Sequence, residues 1–349
     1  MTGESLDRLQ CPVPVPGDGG ISLAHGGGGR LTRNLISGVF HRHFDNPALQ
    51  QRHDAAVTAW EGGQVAFTTD SFVVKPLFFP GGDIGRLAVC GTVNDLAMAG
   101  AVPLWLSAAF ILEEGLPLGI LERVVASMAA TAHECGVAIV TGDTKVVDKG
   151  SGDSIFITTA GIGSVIVDPA PCPALVREGD ALIVSGDLGR HGIAVMAARE
   201  GLSFTPEIES DAAPLCYPVQ ALLAAHIEVH CLRDLTRGGL AAAVKEIAED
   251  GAVAVTLEEP VIPVGDCVGA ACELLGLDPL YVANEGRFLA VVPSRQADET
   301  LGILRRSGCN PAHIGQVRAG SPGEVVLRSA FGTSRVLDLL SGEQLPRIC

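Results

Sequence analysis

The sequence predicts an α/β protein of mixed α+β sheets folded as two domains, on three observations. At 349 residues the chain exceeds one ordinary core and suits two. Its apolar fraction is 47% but aromatics supply only 4%, so the core rests on Ala, Val, Leu and Ile among 43 glycines, the make-up of a buried parallel sheet with tight crossovers. Strand-like runs alternate with helical periods on both sides of Pro169, Pro171 and Pro173, which places a boundary near residues 166–175. The expected organisation is a loose arm at 1–24, one domain over 25–168, a second over 169–337, and a mobile tail at 338–349.

The arm, with CPVPVPGDGG, has no periodicity. His25 leads into Gly26, Gly27, Gly28 and Gly29, then an amphipathic stretch over 31–40 reads as a helix. VAFTTD (65–70) is a strand ending in Asp70. Residues 84–100 read as a helix capped by Asp83 and closed by Pro103, LSAAFIL (106–112) as a strand, and 118–135 as a helix stopped at Gly136. VAIVTGDT and DSIFITTAGIGSV are further strands. In the second half ALIVSGDLGRHG is a strand and glycine turn feeding the helix GIAVMAARE. Helices are expected over 212–228, 240–249 and 266–275, strands at 252–257 and in NEGRFLAVVP, and short strands and turns from there to the tail.

A net charge of −16 with no basic patch argues against nucleic acid. No apolar run approaches twenty residues and no signal sequence opens the chain, so the expectation is a cytoplasmic protein without membrane contact. Ten cysteines are scattered with no CxxC pair, which fits small buried thiols in a reducing compartment. Cys349 differs from the rest. It is the last residue, after Pro346, Arg347 and Ile348, where a core cannot easily cover it.

Candidate chemistry begins with carboxylates at the ends of apolar elements: Asp70 after VAFTT, Asp95 in VNDLAMAG, Asp143 in VAIVTGDT and Asp234 in DLTRGG. Any one of them alone suits a cap or turn. Four with this placement point to Mg²⁺, a hard cation that also binds nucleotide phosphates. Gly26 to Gly29 and Gly238-Gly239 can bring backbone N–H groups close to an anion, although neither fits a P-loop or a dinucleotide fingerprint. Lys145, two residues beyond Asp143, can neutralise phosphate or orient a carbonyl. Glu285 in ANEG precedes an apolar strand and can act as a general base. His226 and His230 stand four apart, but HIEVH misplaces the Glu of HExxH and offers no third ligand. Cys267 and Cys272 lack ligand spacing, the HRH at 41–43 reads as polar surface, and His191 in GRHG reads as loop architecture.

Taken together, GRLAVCGTVNDLAMAGAVP, FILEEGLP, TGDTKVV, DLTRGGLAAAV, ANEG and the terminal PRIC resemble the HypE family of hydrogenase maturation proteins, in the aminoimidazole ribonucleotide synthetase (PurM-like) superfamily. The resemblance runs from about His25 to Cys349. NDLA, TGDT and DLTRGG indicate the superfamily, and the PRIC end selects the family. Arg190 stands where an acidic residue is expected before His-Gly.

The resemblance implies two PurM-like domains and a homodimer whose N-terminal sheets join. It implies that a HypF-type carbamoyltransferase loads a carboxamide on the Cys349 thiol, which is dehydrated with ATP to a thiocyanate, and that a HypC–HypD complex accepts the cyanide for a [NiFe] centre. In that reading Gly26, Gly27, Gly28, Gly29, Asp70, Asn94, Asp95, Thr141, Gly142, Asp143, Asp234 and Thr236 bind ATP, with Asp70, Asp95, Asp143 and Asp234 on Mg²⁺. Lys145 polarises the carboxamide oxygen and Glu285 takes its N–H proton. A superfamily relative acting on a free small molecule has no use for a terminal thiol, and a non-catalytic scaffold that binds nucleotide and docks maturation partners would hydrolyse nothing.

Overall fold

The computed structural model describes residues 26–40, 43, 46, 49–340 and 348–349. The arm at 1–24, His25, His41, Arg42 and tail residues 341–347 lie outside the described residues.

The first half is one five-stranded sheet. Its strands in chain order are β1 Ala56–Trp60, β2 Gly63–Phe72, β5 Ala101–Glu113, β6 Ala138–Val147 and β7 Ile155–Val165, with a two-residue ribbon, β3 Phe78–Phe79 and β4 Gly82–Asp83, between β2 and β5. The spatial order is β1-β2-β7-β5-β6, with only β5 and β6 parallel. Against the inner face lies the helix Ile84–Met98, buried almost all round, as its apolar and small residues on every side require. Asp83 starts it: one carboxylate oxygen accepts from Gly85 N at 2.7 Å and Arg86 N at 3.0 Å, and the other accepts from Ser127 Oγ at 2.7 Å. The Leu118–Cys135 helix covers it and ends in the left-handed turn of Gly136, φ 69°.

The second half is a seven-stranded sheet of β8 Asp180–Val184, β9 Cys231–Asp234, β10 Ala254–Glu258, β11 Phe288–Pro293, β12 Ala312–Arg318, β13 Val325–Arg328 and β14 Ser334–Val336. The order is β14-β13-β10-β12-β8-β11-β9. Central β8 and β11 are buried at every position, which is why their sequences show no polar alternation. Helices Arg190–Glu200, Cys216–Ala224, Gly239–Asp250, Asp266–Leu275 and Ala297–Arg306 pack around this sheet. One apolar core runs between the halves, from Phe72, Leu87 and Ile157 to Ile183 and Phe288, and it includes Ile348. Among the described residues no helix is long and apolar enough to cross a membrane.

Several elements differ from expectation, beginning with strand sense: in place of a parallel sheet, only β5–β6 and β10–β13 pair parallel among the described residues, because short links such as the two-residue turn between β1 and β2 join antiparallel neighbours. Pro103 does not close the first long helix, which stops at Met98; Gly100 turns the chain at φ 71°, and Pro103 sits inside β5 where the register to β7 shifts, a place that needs no ladder N–H. The helix expected over 212–228 is only Cys216–Ala224, because the Leu215 N–H is taken by Asn94 Oδ1 at 2.8 Å and residues 211–215 run non-helical beneath Glu285. His226 lies in a turn beyond that helix at φ 57°, so it shares no helical face with His230, whose Nδ1 meets Asp180 at 2.7 Å. The 31–40 helix is α-helical over Arg30–Leu35 and π-helical over Ile36–Phe40. Strand β1 and the Ala297–Arg306 helix were not expected.

Candidate active site

Three elements meet where the Ile84–Met98 helix lies between the first sheet and strand β9 of the second. Strand β2 ends its inner face with Thr68 and Asp70, the Ile84–Met98 helix presents Asp95, and β9 ends at Asp234. Thr68 Oγ1 donates to Asp95 Oδ2 at 2.7 Å. Asp54 is drawn in by Arg233, whose Nη1 lies 2.6 Å from Asp54 Oδ1 and whose Nη2 lies 2.6 Å from Glu246 Oε2. These acids, with Thr236, Arg237 and Glu285, line a cavity of about 170 Å³, and Cys349 forms part of its wall.

The end of the chain is therefore docked. Val73 N–H donates to a Cys349 carboxylate oxygen at 3.0 Å, Val74 pairs with Ile348 in an antiparallel bridge, and His191 Nε2 lies 2.6 Å from the Ile348 carbonyl oxygen. Burying the Ile348 side chain in the common core anchors Cys349 beside it.

Electrostatics in this cavity are those of an acid cluster short of cations. Burial, then the neighbouring charges of Asp70, Asp234 and Asp54, pushes the Asp95 carboxyl well above the usual carboxylate range. Asp234 is raised in the same way by burial and by Asp54 and Asp70, and Asp70 is raised by burial against the pull of Arg237. Glu285 is only 3% exposed, and burial, followed by Asp234 and Asp211, raises it well above the ordinary range. Its backbone N–H is tied to Asp211 Oδ1 at 2.9 Å, while Glu285 Oε1 and Asp54 Oδ2 have no hydrogen-bond partner. Burial pushes the Cys349 thiol up to about 11, with Arg237 opposing.

The glycine run abuts the same place. Gly28, at φ 75°, leaves no room for a Cβ, which would fall 2.8 Å from Arg237 Cβ, and one on Gly29 would fall 2.5 Å from Leu340 O. Beside it a larger cavity of about 470 Å³, a nucleotide-sized space, is lined by Gly28, Gly29, Thr32, Phe67 and Thr68 and shares Asp54 with the acidic cavity. Gly26 has open space where a side chain would stand, and Gly27 is half-buried between it and Gly28.

The expected site residues do not all converge in one chain. Register across the sheet runs Asp70, Thr159, Ala108, Gly142, so Gly142 stands three strands from Asp70, about 14 Å away. Thr141, Asp143 and Lys145 flank Gly142 on the opposite, outer face of edge strand β6. The Asp143 and Lys145 side chains are 66% and 71% exposed and meet only as a 3.4 Å ion pair. The four-aspartate set is thus split three and one. Asn94 also stands apart from the cavity: buried, it donates to Ala213 O at 3.1 Å and accepts from Leu215 N, joining its helix to the segment under Glu285. Asp54, Arg237 and His191 were missed as site residues. Arg237 lay inside DLTRGG; nothing local marked Asp54.

Two family models match the chain, the AIR synthase related protein N-terminal domain over residues 52–165 and the C-terminal domain over 177–328. The chain is 51% identical to the carbamoyl dehydratase HypE of Cupriavidus necator, over the whole of both chains. It is 46% identical to that of Escherichia coli, over 94% of this chain and 99% of the relative. The chain belongs to the HypE family of carbamoyl dehydratases. As a member of that family it is an enzyme, a carbamoyl dehydratase that serves hydrogenase maturation. Among solved structures, a HypE in complex with ATP matches with 48% identity and a TM-score of 0.80, over 94% of this chain and all of that one. HypE from a HypE–HypF complex matches with 46% identity and a TM-score of 0.83, over 88% of this chain and 99% of that one. Arg190, unexpected for a HypE family member, reaches out to Glu209 O at 3.2 Å and lies 4.0 Å from Asp187, away from the acidic cavity.

The crowded acids carry a stability consequence. A carboxyl whose folded pKa is raised holds a proton that the unfolded chain releases, so its contribution declines as pH rises from about 3.8 through the raised value. Asp95→Asn removes that decline and keeps an acceptor for Thr68. In the nucleotide-free chain it is expected to raise Tm by about 2–4 °C near neutral pH, by less at pH 4, and to abolish ATP turnover. Thermal denaturation across pH checks the first part; an equal shift at pH 4 and pH 8 would refute the electrostatic cause.

Proposed function

We propose that this chain uses ATP and Mg²⁺ to dehydrate a carboxamide carried on Cys349 to a thiocyanate. The observation that carries the reading is the docking of the terminal thiol in the acidic cavity beside Glu285 and Arg237. ATP comes to this chain by likeness to the HypE–ATP structure, and a HypF-type carbamoyltransferase as partner by likeness to the HypE–HypF complex. A HypC–HypD complex as cyanide acceptor, and a cytoplasmic setting, complete the reading.

The residues present suit a metal–triphosphate. Among the described residues no three side chains converge as an all-protein metal cage, and Mg²⁺ bound through one or two carboxylates plus phosphates needs none. Asp70, Asp95 and Asp234 supply that charge, and their mutual repulsion, together with the unpartnered Asp54 oxygen, is what a cation would relieve. Bound there, Mg·ATP supplies the phosphoryl group that makes the carboxamide oxygen a leaving group.

The chain's own atoms do the rest. Sulfur holds the carboxamide carbon while its oxygen becomes a phosphate ester; the C–O bond then breaks, the two N–H protons depart, and S–C≡N remains with ADP and phosphate. Glu285, with a free buried Oε1, takes a nitrogen proton. Arg237 faces the negative charge on oxygen. With its pKa near 11 in the docked state, the thiol is a poor nucleophile, so carbamoylation belongs to an undocked tail.

Lys145 cannot reach its own chain's Cys349 from the outer face of β6, so we assign it to a second copy. Phe67, Trp105, Ile111 and Ile162, 37–52% exposed, make that face apolar, and β6 is an open edge. A homodimer that covers this face, with Thr141, Gly142, Asp143 and Lys145 from one copy completing the cavity of the other, gives those four residues a part in the site.

Mass spectrometry tests the reaction. With a HypF-type partner and carbamoyl phosphate, Cys349 is expected to gain a carbamoyl group and to lose one water only when Mg·ATP is added. Cys349→Ala should end cyanide formation while ATP still binds. Thiocyanate formed by the Ala variant would refute the reading.

A further inference from the structure

The last two residues are held from both sides. The first half of the chain supplies backbone, through Val73 and Val74. The second half supplies Arg237 at the Cys349 sulfur and, on the backbone before it, His191, wholly buried at the second position of the Arg190–Glu200 helix. A carbonyl oxygen only accepts, so His191 Nε2 carries the proton it gives to Ile348 O at 2.6 Å. Nδ1, 2.8 Å from Ser210 Oγ, then accepts from that hydroxyl. Ser210 is fixed in turn: its N–H donates to Pro80 O at 2.8 Å, and its Oγ accepts from Ala212 N at 3.1 Å. Phe79 meets the imidazole edge-on, with ring centroids 5.5 Å apart. One tautomer and one orientation remain, aimed at the peptide that precedes Cys349.

We infer that His191 is a latch: a positioning residue that holds the tail docked and sets the place of the Cys349 sulfur for dehydration, but takes no part in loading that sulfur. The latched carbonyl adjoins the Cys349 amide, so releasing it lets the sulfur drift from Glu285 and Arg237. Burial keeps the imidazole's pKa down at about 4, so it serves as a neutral, constant donor around pH 7. The inference rests on Cys349 being the group dehydrated.

The test uses the full chain and compares His191→Leu with His191→Gln, whose amide keeps a donor at the same reach, and with Ser210→Ala, which frees the imidazole. Without a partner, iodoacetamide labelling of Cys349 is expected to be about five to ten times faster in His191→Leu and about two to five times faster in Ser210→Ala, as loss of one buried hydrogen bond implies. With a HypF-type partner, carbamoyl phosphate and Mg·ATP, single-turnover dehydration in His191→Leu should fall by about tenfold or more, with carbamoylation no slower and the KM for ATP unchanged. His191→Gln should recover most of both losses. Wild-type labelling rates in the Leu and Ser210→Ala variants, a joint fall of carbamoylation and dehydration, or a Gln variant as poor as Leu would each overturn the latch. If His191→Leu fails to fold, Gln and Ser210→Ala decide it. If the unaltered chain never loses water, the dehydration reading fails, and labelling still decides whether His191 holds the tail.

Discussion

Glu285→Gln is expected to slow dehydration of carbamoylated Cys349 by about 10²–10⁴-fold, with carbamoylation and ATP affinity nearly unchanged. The substitution is close to isosteric and leaves the Glu285 N–H on Asp211 Oδ1, so the loop stays where it is and only proton acceptance is lost. The base has a marked titration. Burial, Asp234 and Asp211 raise its pKa well above the usual glutamate range, so the dehydration rate should climb with pH through that raised value rather than level off near pH 5. Asp211→Asn removes one of the raising charges and should move the acid limb to lower pH. Single-turnover rates followed by mass spectrometry from pH 5 to 9 decide both points. A Gln variant that dehydrates at the normal rate would remove Glu285 from the mechanism.

Two inactive chains are expected to rescue each other. Lys145→Ala should lose about 10²–10³ of the rate, as deletion of a group that stabilises developing charge does, and Glu285→Gln is inactive for the reason above. If each cavity takes Glu285 from one copy and Lys145 from the other, a mixed dimer holds one intact site and one doubly altered site. In an equal mixture half the dimers are mixed, so about a quarter of the wild-type sites return. Co-expression with two different tags, purification of the mixed dimer, in which half of the wild-type sites should return, and a turnover assay measure this. A mixture as dead as its parents would mean that Lys145 works within its own chain or not at all.

Much of the fold was legible because local and tertiary preferences agree. Asp83 as a cap, Gly136 as a stop and the uniformly apolar β8 and β11 each follow from short-range chemistry. Expectation failed where a partner distant in sequence claimed a backbone group. Leu215 N–H goes to Asn94 instead of a helix, and Pro103 is tolerated in β5 because a bulge there asks for no donor. The Ala297–Arg306 helix was hidden by its brevity and its mixed charge.

The site divides along the same line. Residue identity alone determined that Asp70, Asp95 and Asp234 are acids at the ends of apolar elements, that Glu285 precedes one, and that Cys349 follows PRI, because these are properties of short segments. Only tertiary structure decided that Asp143 and Lys145 face away from them, since the side on which a strand residue emerges depends on register across four strands. It also decided that Asp54, Arg237 and His191 belong with Cys349, for these side chains are 54 to 349 residues along the chain and meet only because two sheets close on a single core.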